Sequence, residues 1–176
     1  MKITVRDPAS YSVFAEMIVC GTVYPLSMTQ GYQHGDIYTD GRAVLFHHDC
    51  GFAFLSGTAG EDTLEAVYSL MDNCGRRFVL FSEDDGITEF LSKKPGIHTD
   101  MRYFYEYSGA QKKALPGGME LREIDSDIIS ALDGRIVPAF SWSTDRFLSR
   151  GKGFAVMCGD EAASWAFSAA VSGDEI

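Results

Sequence analysis

The chain has 176 residues, 45% hydrophobic and 23% charged, with 15 Lys and Arg against 25 Asp and Glu for a formal net charge of −10. That length builds one ordinary domain or two small ones with a sizeable core, and the composition is that of a folded chain rather than a disordered one. The acidic balance, without any run of Lys or Arg, excludes a nucleic-acid binder and argues against docking on anionic membranes.

Asp7 and Pro8 predict a helix start, and Val13, Phe14, Met17 and Ile18 repeat at helical spacing up to Gly21. Thr22 to Met28 is expected to be a strand, interrupted by Pro25 as at a sheet edge or a bulge. The turn dipeptides Gly35-Asp36 and Asp40-Gly41 bracket a short strand at 37–39. Arg42 to His47 and Gly51 to Leu55 form the two strands of a hairpin.

Gly60 to Asn73 carries the strongest helix signal. Leu64, Val67, Tyr68 and Met71 share one face, Glu61 and Asp62 suit the N-terminal dipole, and Gly75 closes the segment. Arg77 to Phe81 is a short apolar strand. Ser82 with Asp85 predicts a capping box for a helix ending at Lys93-Lys94-Pro95, with Ile87, Phe90 and Leu91 inward. Met101 to Tyr107 is aromatic and strand-like.

Ser108 to Gly118 mixes small, charged, Pro and Gly residues without periodicity, as a linker does. A strand at Met119 to Glu123 and a helix near Ser126 to Leu132 follow. Ser143-Thr144-Asp145 is a helix-start signal, Gly151 and Gly153 end the short helix, and two strands close the chain, the second over Ala162 to Val171. The sum is a mixed α/β protein of sheets flanked by helices: an N-terminal α/β domain over 1–108, a linker over 109–118 and a second unit over 119–176.

The four cysteines, at 20, 50, 74 and 158, show no C-x-x-C spacing, and the N-terminus lacks the apolar core of a secretory signal. No run of 18 apolar residues marks a membrane span. These features predict a reduced, cytoplasmic protein.

His47-His48-Asp49-Cys50 is the local cluster of metal-capable side chains. Adjacent strand residues point to opposite faces, and a zinc site needs three or four converging ligands, so a polar hairpin tip is expected and no metal. Cys50 beside His48 could imitate a nucleophilic pair, though such pairs are made in space rather than in sequence. Ser56-Gly57 and Ser172-Gly173 suggest turns, and no G-x-S-x-G elbow exists. Glu83-Asp84-Asp85 suits a helix N-terminus, and Arg76-Arg77 and Lys93-Lys94 suit solvated helix ends. Trp142 and Trp165 are read as packing residues.

Phe140-x-Trp142, Asp145-x-Phe147, Gly151-x-Gly153-Phe154 and the alternating strand from Ser164 to Val171 together resemble the opening of a GNAT-type acetyltransferase core of the zwittermicin-A-resistance-type branch. The resemblance implies an N-terminal α/β domain ahead of an acetyltransferase core. It also implies acetyl-CoA as co-substrate, a small-molecule amine as acceptor, and acyl transfer to nitrogen. It further implies a shortened, incomplete core, because the strand and Gly-rich helix start that hold acetyl-CoA would follow Ile176. Arg150 to Gly153 does not replace that motif: Leu148 stands where the family has Gln or Arg, and the glycines follow a helix instead of opening one. No catalytic or cofactor-binding residue is therefore carried over. The alternative is a non-catalytic binding or dimerisation module on the same scaffold, with a homodimer formed through the C-terminal strand.

Overall fold

The computed structural model describes residues 2–3, 7–103, 105, 114–134 and 136–173. They fall into two compact units, 1–104 and 105–176. The expected linker lies for the most part outside the described residues.

The first unit is a five-stranded sheet in the order β1-β2-β3-β4-β5: β1 (Lys2–Ile3), β2 (Gly35–Thr39), β3 (Ala43–His48), β4 (Phe52–Gly57) and β5 (Val79–Phe81). Neighbours run antiparallel except β4 and β5, which are parallel. A parallel pair needs a crossover, and α3 (Glu61–Asn73) falls between the two strands. α1 (Ser12–Glu16) and α2 (Val23–Thr29) precede the second strand, and α4 (Asp85–Ser92) follows the fifth.

Period-two alternation explains the layering. Val44, Phe46, Ile37 and Phe54 cluster with Ala15 and Met28 of the first two helices, while Leu45, Tyr38 and Ala53 cluster with Val67 of α3. The central strand β3 is thus buried on both faces at all six positions. Burying Val44, Leu45 and Phe46 contributes about 1.5–3 kcal/mol each.

Three expectations are corrected in this unit. Thr22 to Met28 is helix, not strand. Pro25 sits in the first turn of α2, where its missing N–H costs little because the Gly21 carbonyl four residues back accepts from the Tyr24 N–H at 3.0 Å instead. Gly21 does not end the previous helix, which stops at Glu16, but lies in the turn just before Thr22, the N-cap of α2: its φ is +77°, and a Cβ there would lie 2.6 Å from Phe54 Cε1. α4 is capped by Asp84, whose Oδ1 accepts from the N–H groups of Gly86 and Ile87 at 2.7 and 3.3 Å. Ser82 stands two residues too early and accepts from the N–H of Asp84. Finally, Met101 to Tyr103 has no strand pairing, and Met101, Tyr103 and Tyr105 are exposed; the rest of the expected strand lies largely outside the described residues.

The second unit is a three-stranded antiparallel sheet, order β6-β7-β8, built from β6 (Met119–Glu123), β7 (Gly153–Cys158) and β8 (Glu161–Phe167). α5 (Ser126–Ala131) is capped by Asp125, and α6 (Thr144–Arg150) leads into β7. Gly153, Ala155 and Met157 of β7 face inward, alternating with the outward Phe154, Val156 and Cys158. β8 stops at Phe167 rather than Val171. Ser168 still donates its N–H to the Lys152 carbonyl at 2.8 Å, but its own carbonyl accepts from the Trp142 indole at 2.7 Å and its hydroxyl from the Lys152 N–H at 2.9 Å, so side chains replace the ladder there.

Candidate functional site

His47 and His48 end β3, and both are fully buried. The expected polar hairpin tip is therefore a pair of core side chains. They point to opposite faces, as the strand geometry requires: the His47 ring lies 4.2 Å from that of Phe78, and the His48 ring 5.4 Å from that of Tyr24.

Both nitrogens of His47 are engaged. Nε2–H donates to the Arg77 carbonyl at 3.0 Å, so Nδ1 is the acceptor for Arg76 Nη2 at 3.0 Å. Burial holds the ring well below the usual histidine range, and the neighbouring Arg76 cation adds to the effect. His48 Nδ1 accepts from the Cys50 N–H at 3.1 Å, which leaves the proton on Nε2, buried and without a hydrogen-bond partner. Burial lowers this ring to about 4.

Arg76 is the hub of the group. Its guanidinium also reaches Asp36 at 2.6 Å and Asp49 at 3.1 Å, joining β2, the turn after β3 and the loop before β5. Arg77 stands over the Phe52 ring at 4.8 Å. The sequence reading of Arg76-Arg77 as a solvated helix end missed this role. Its signal, two arginines one residue before an apolar strand, is too common to have revealed it.

The chemistry of this cluster is that of a scaffold. The one lone pair of His47, on Nδ1, is occupied by the Arg76 guanidinium and is not offered to a metal. The His48 nitrogen nearest Cys50 is taken by that residue's own N–H, and burial raises the Cys50 thiol, so the two do not form an activated pair. His34 and His98 are exposed and lie in loops. Among the described residues no three His, Cys, Asp or Glu side chains form a metal-binding group.

The other candidates lie apart from it. Ser56 is buried within β4 instead of forming a turn. In the acidic run, Asp84 caps α4, and Glu83 meets the Cys20 thiol, whose pKa it raises. In the second unit Trp142 packs against Phe147 at 6.2 Å, and the Trp165 indole donates to the Ile136 carbonyl at 2.7 Å. Trp142 is thus a packing residue, whereas Trp165 is half-buried and anchored by that hydrogen bond. Gly151 closes α6 with an ordinary φ of −74°. Its smallness is required because a Cβ would strike the Phe147 ring.

The profile of the GNAT acetyltransferase family matches residues 22–176. The uncharacterized N-acetyltransferase YdfB of Bacillus subtilis (strain 168) is 28% identical over 148 residues, covering 76% of this chain and 56% of YdfB. The chain thus spans little more than half the length of that curated relative. A crystal structure of a GCN5-related N-acetyltransferase-like protein from Streptococcus suis 89/1591 superimposes with a TM-score of 0.71 at 17% identity, covering 94% of this chain and 71% of that one. At such identity the likeness is one of fold: two sheets flanked by helices, as expected from the sequence.

Proposed function

The chain belongs to the GNAT acetyltransferase family, and from that premise we propose that it serves N-acetylation, with acetyl-CoA as acyl donor and a small-molecule amine as acceptor. The observation that carries the reading is the family match over residues 22–176, which takes in both units. The name of the Bacillus relative, an N-acetyltransferase, agrees with it. The finer placement in the zwittermicin-A-resistance-type branch rests on the Phe140 to Phe154 pattern. A cytoplasmic place of action is supported by four free cysteines. Separately, among the described residues no helix is long and apolar enough to cross a membrane.

Acetyl-CoA would need backbone N–H groups at a helix start to face its pyrophosphate. Gly151 to Gly153 does not fit that need. These residues lie at the carbonyl end of α6, and the Gly151 N–H is already donated to the Phe147 carbonyl at 2.7 Å. No acetyl-transfer step is therefore assigned to the residues of this loop.

Isothermal titration calorimetry with acetyl-CoA tests the proposal. Saturable binding at one site per chain supports it, and an amine-acceptor screen follows. Absence of heat at millimolar ligand, from a sample whose circular dichroism shows it folded, overturns donor binding by this chain. That result would favour a non-catalytic binding module.

A further inference from the structure

We propose that the adjacent histidines His47 and His48 form an acid-sensitive latch, which holds the turn after β3 and the loop before β5 closed only while both rings are neutral. The inference is independent of the acetyl-transfer reading.

The geometry carries it. Each ring uses Nδ1 as an acceptor: His47 from the Arg76 guanidinium at 3.0 Å, His48 from the Cys50 N–H at 3.1 Å. A proton added to either ring must go on Nδ1, because Nε2 already holds one. Protonation of each ring therefore removes that ring's own hydrogen bond. It also places a cation against the Arg76 cation and buries a second one on the opposite face of β3, where His48 Nε2 has no partner. Water cannot relieve either charge while the strand stays shut, since both side chains are fully buried.

The surrounding charges do not cancel this cost. Around His47 stand Asp36 on β2, Asp49 in the turn, and Arg76 and Arg77 in the loop; the carboxylates favour the charged ring and Arg76 opposes it. Around His48 stand Asp49, which favours its charge, Arg76, His47 and His34, which oppose it, and the neutral Tyr24 and Cys50. Asp36 and Asp49 are already paired with Arg76, so they have little to offer a second cation. Desolvation dominates at both sites.

The sign follows from linkage. The unfolded chain binds protons at both histidines below about pH 6.5 while the closed state does not, so opening is favoured as pH falls through that range. With His48 held near 4, the opening equilibrium grows roughly twentyfold between pH 7 and pH 5 from this residue alone, and further with His47.

Hydrogen exchange of the full chain at pH 7, 6 and 5, corrected for intrinsic rates, reads the effect directly. Segments 45–53 and 74–81 are expected to lose protection with falling pH ahead of α3. Histidine ring NMR supplies the second readout. The His48 signal should not titrate in the folded protein above pH 5, and the His47 signal should titrate below the ordinary histidine value. His48→Gln, whose amide oxygen can still accept from the Cys50 N–H, should flatten the pH dependence by most of the twentyfold, and His98→Gln, at an exposed loop position that does not act on either ring, should leave it unchanged. A His48 signal that titrates at the ordinary histidine value in a folded chain overturns the latch, as does unchanged pH dependence in His48→Gln. Should that variant not fold, the wild-type titration and exchange pattern decide.

Discussion

The Arg76 guanidinium lies 3.0 Å from Nδ1 of His47, a cation held against a ring that is neutral because it is buried. The same group reaches Asp36 and Asp49, so one half-exposed arginine joins three segments that are up to 40 residues apart in sequence. Partly exposed ion pairs contribute little individually. The consequential contact is the one to His47, since losing it leaves a buried acceptor unsatisfied.

Arg76→Ala is therefore expected to destabilise the first unit by about 1–3 kcal/mol, mostly through His47. Arg76→Lys should recover the ion pairing but not the two-sided contact, because an ammonium is a point charge and a guanidinium a fork. Urea unfolding followed by far-ultraviolet circular dichroism measures both, and the Lys variant should fall between Ala and wild type.

Gly21 has φ +77° and would carry a Cβ 2.6 Å from Phe54 Cε1. Gly41 also has positive φ, +94°, but open space around it. Gly41→Ala should cost only the backbone term, about 1 kcal/mol. Gly21→Ala should cost about 2–4 kcal/mol, because the Phe54 ring is buried between neighbours and has little room to yield. Paired thermal melts check this, and equal losses from the two substitutions would contradict it.

The elements most legible in the sequence were those whose local signals agreed. Asp40-Gly41 marked the β2–β3 turn, and Leu64 with Val67 marked the buried face of α3. α2 was misread because its decisive feature, Pro25 four residues after a left-handed Gly21, is the same local sequence that a bulged edge strand would carry. Met101 to Tyr103 was misread because aromatic content signals a strand only where a partner strand exists. The alternation of His47 and His48 across β3 could be read from spacing. Their burial could not, because it depends on Tyr24, Phe78 and Arg76, which other parts of the chain bring to them.

Phe147 is 1% exposed and meets the Trp142 and Phe167 rings, each at 6.2 Å. Phe147→Ala should cost about 3–5 kcal/mol in the second unit, since the small core there has few neighbours able to close the cavity. Trp142 gives the readout. Its indole is tied to the Ser168 carbonyl at 2.7 Å beside the new cavity, so its emission should shift to the red before global unfolding. An unshifted spectrum with unchanged stability would show that the ring is not part of that core.

Asp40 joins the β2–β3 turn to the first turn of α3. Its Oδ1 accepts from the N–H groups of Arg42 and Ala43, both at 2.9 Å, and its Oδ2 from the Thr63 hydroxyl at 2.5 Å. The Thr63 bond is the largest of the influences that hold this carboxyl down at about 2. A lowered acid stabilises the fold above its unfolded value, near 3.9, and that contribution is lost as pH falls from there toward 2. The window lies below the one set by the histidines, so the two can be separated by titration. Thr63→Val removes the hydroxyl while keeping the buried shape. The Asp40 carboxyl resonance should then titrate at higher pH, and the acid limb of stability below pH 4 should become shallower. If the carboxyl titrates unchanged in Thr63→Val, the backbone donors at Arg42 and Ala43 hold it down without the hydroxyl, and the turn would be self-sufficient without α3.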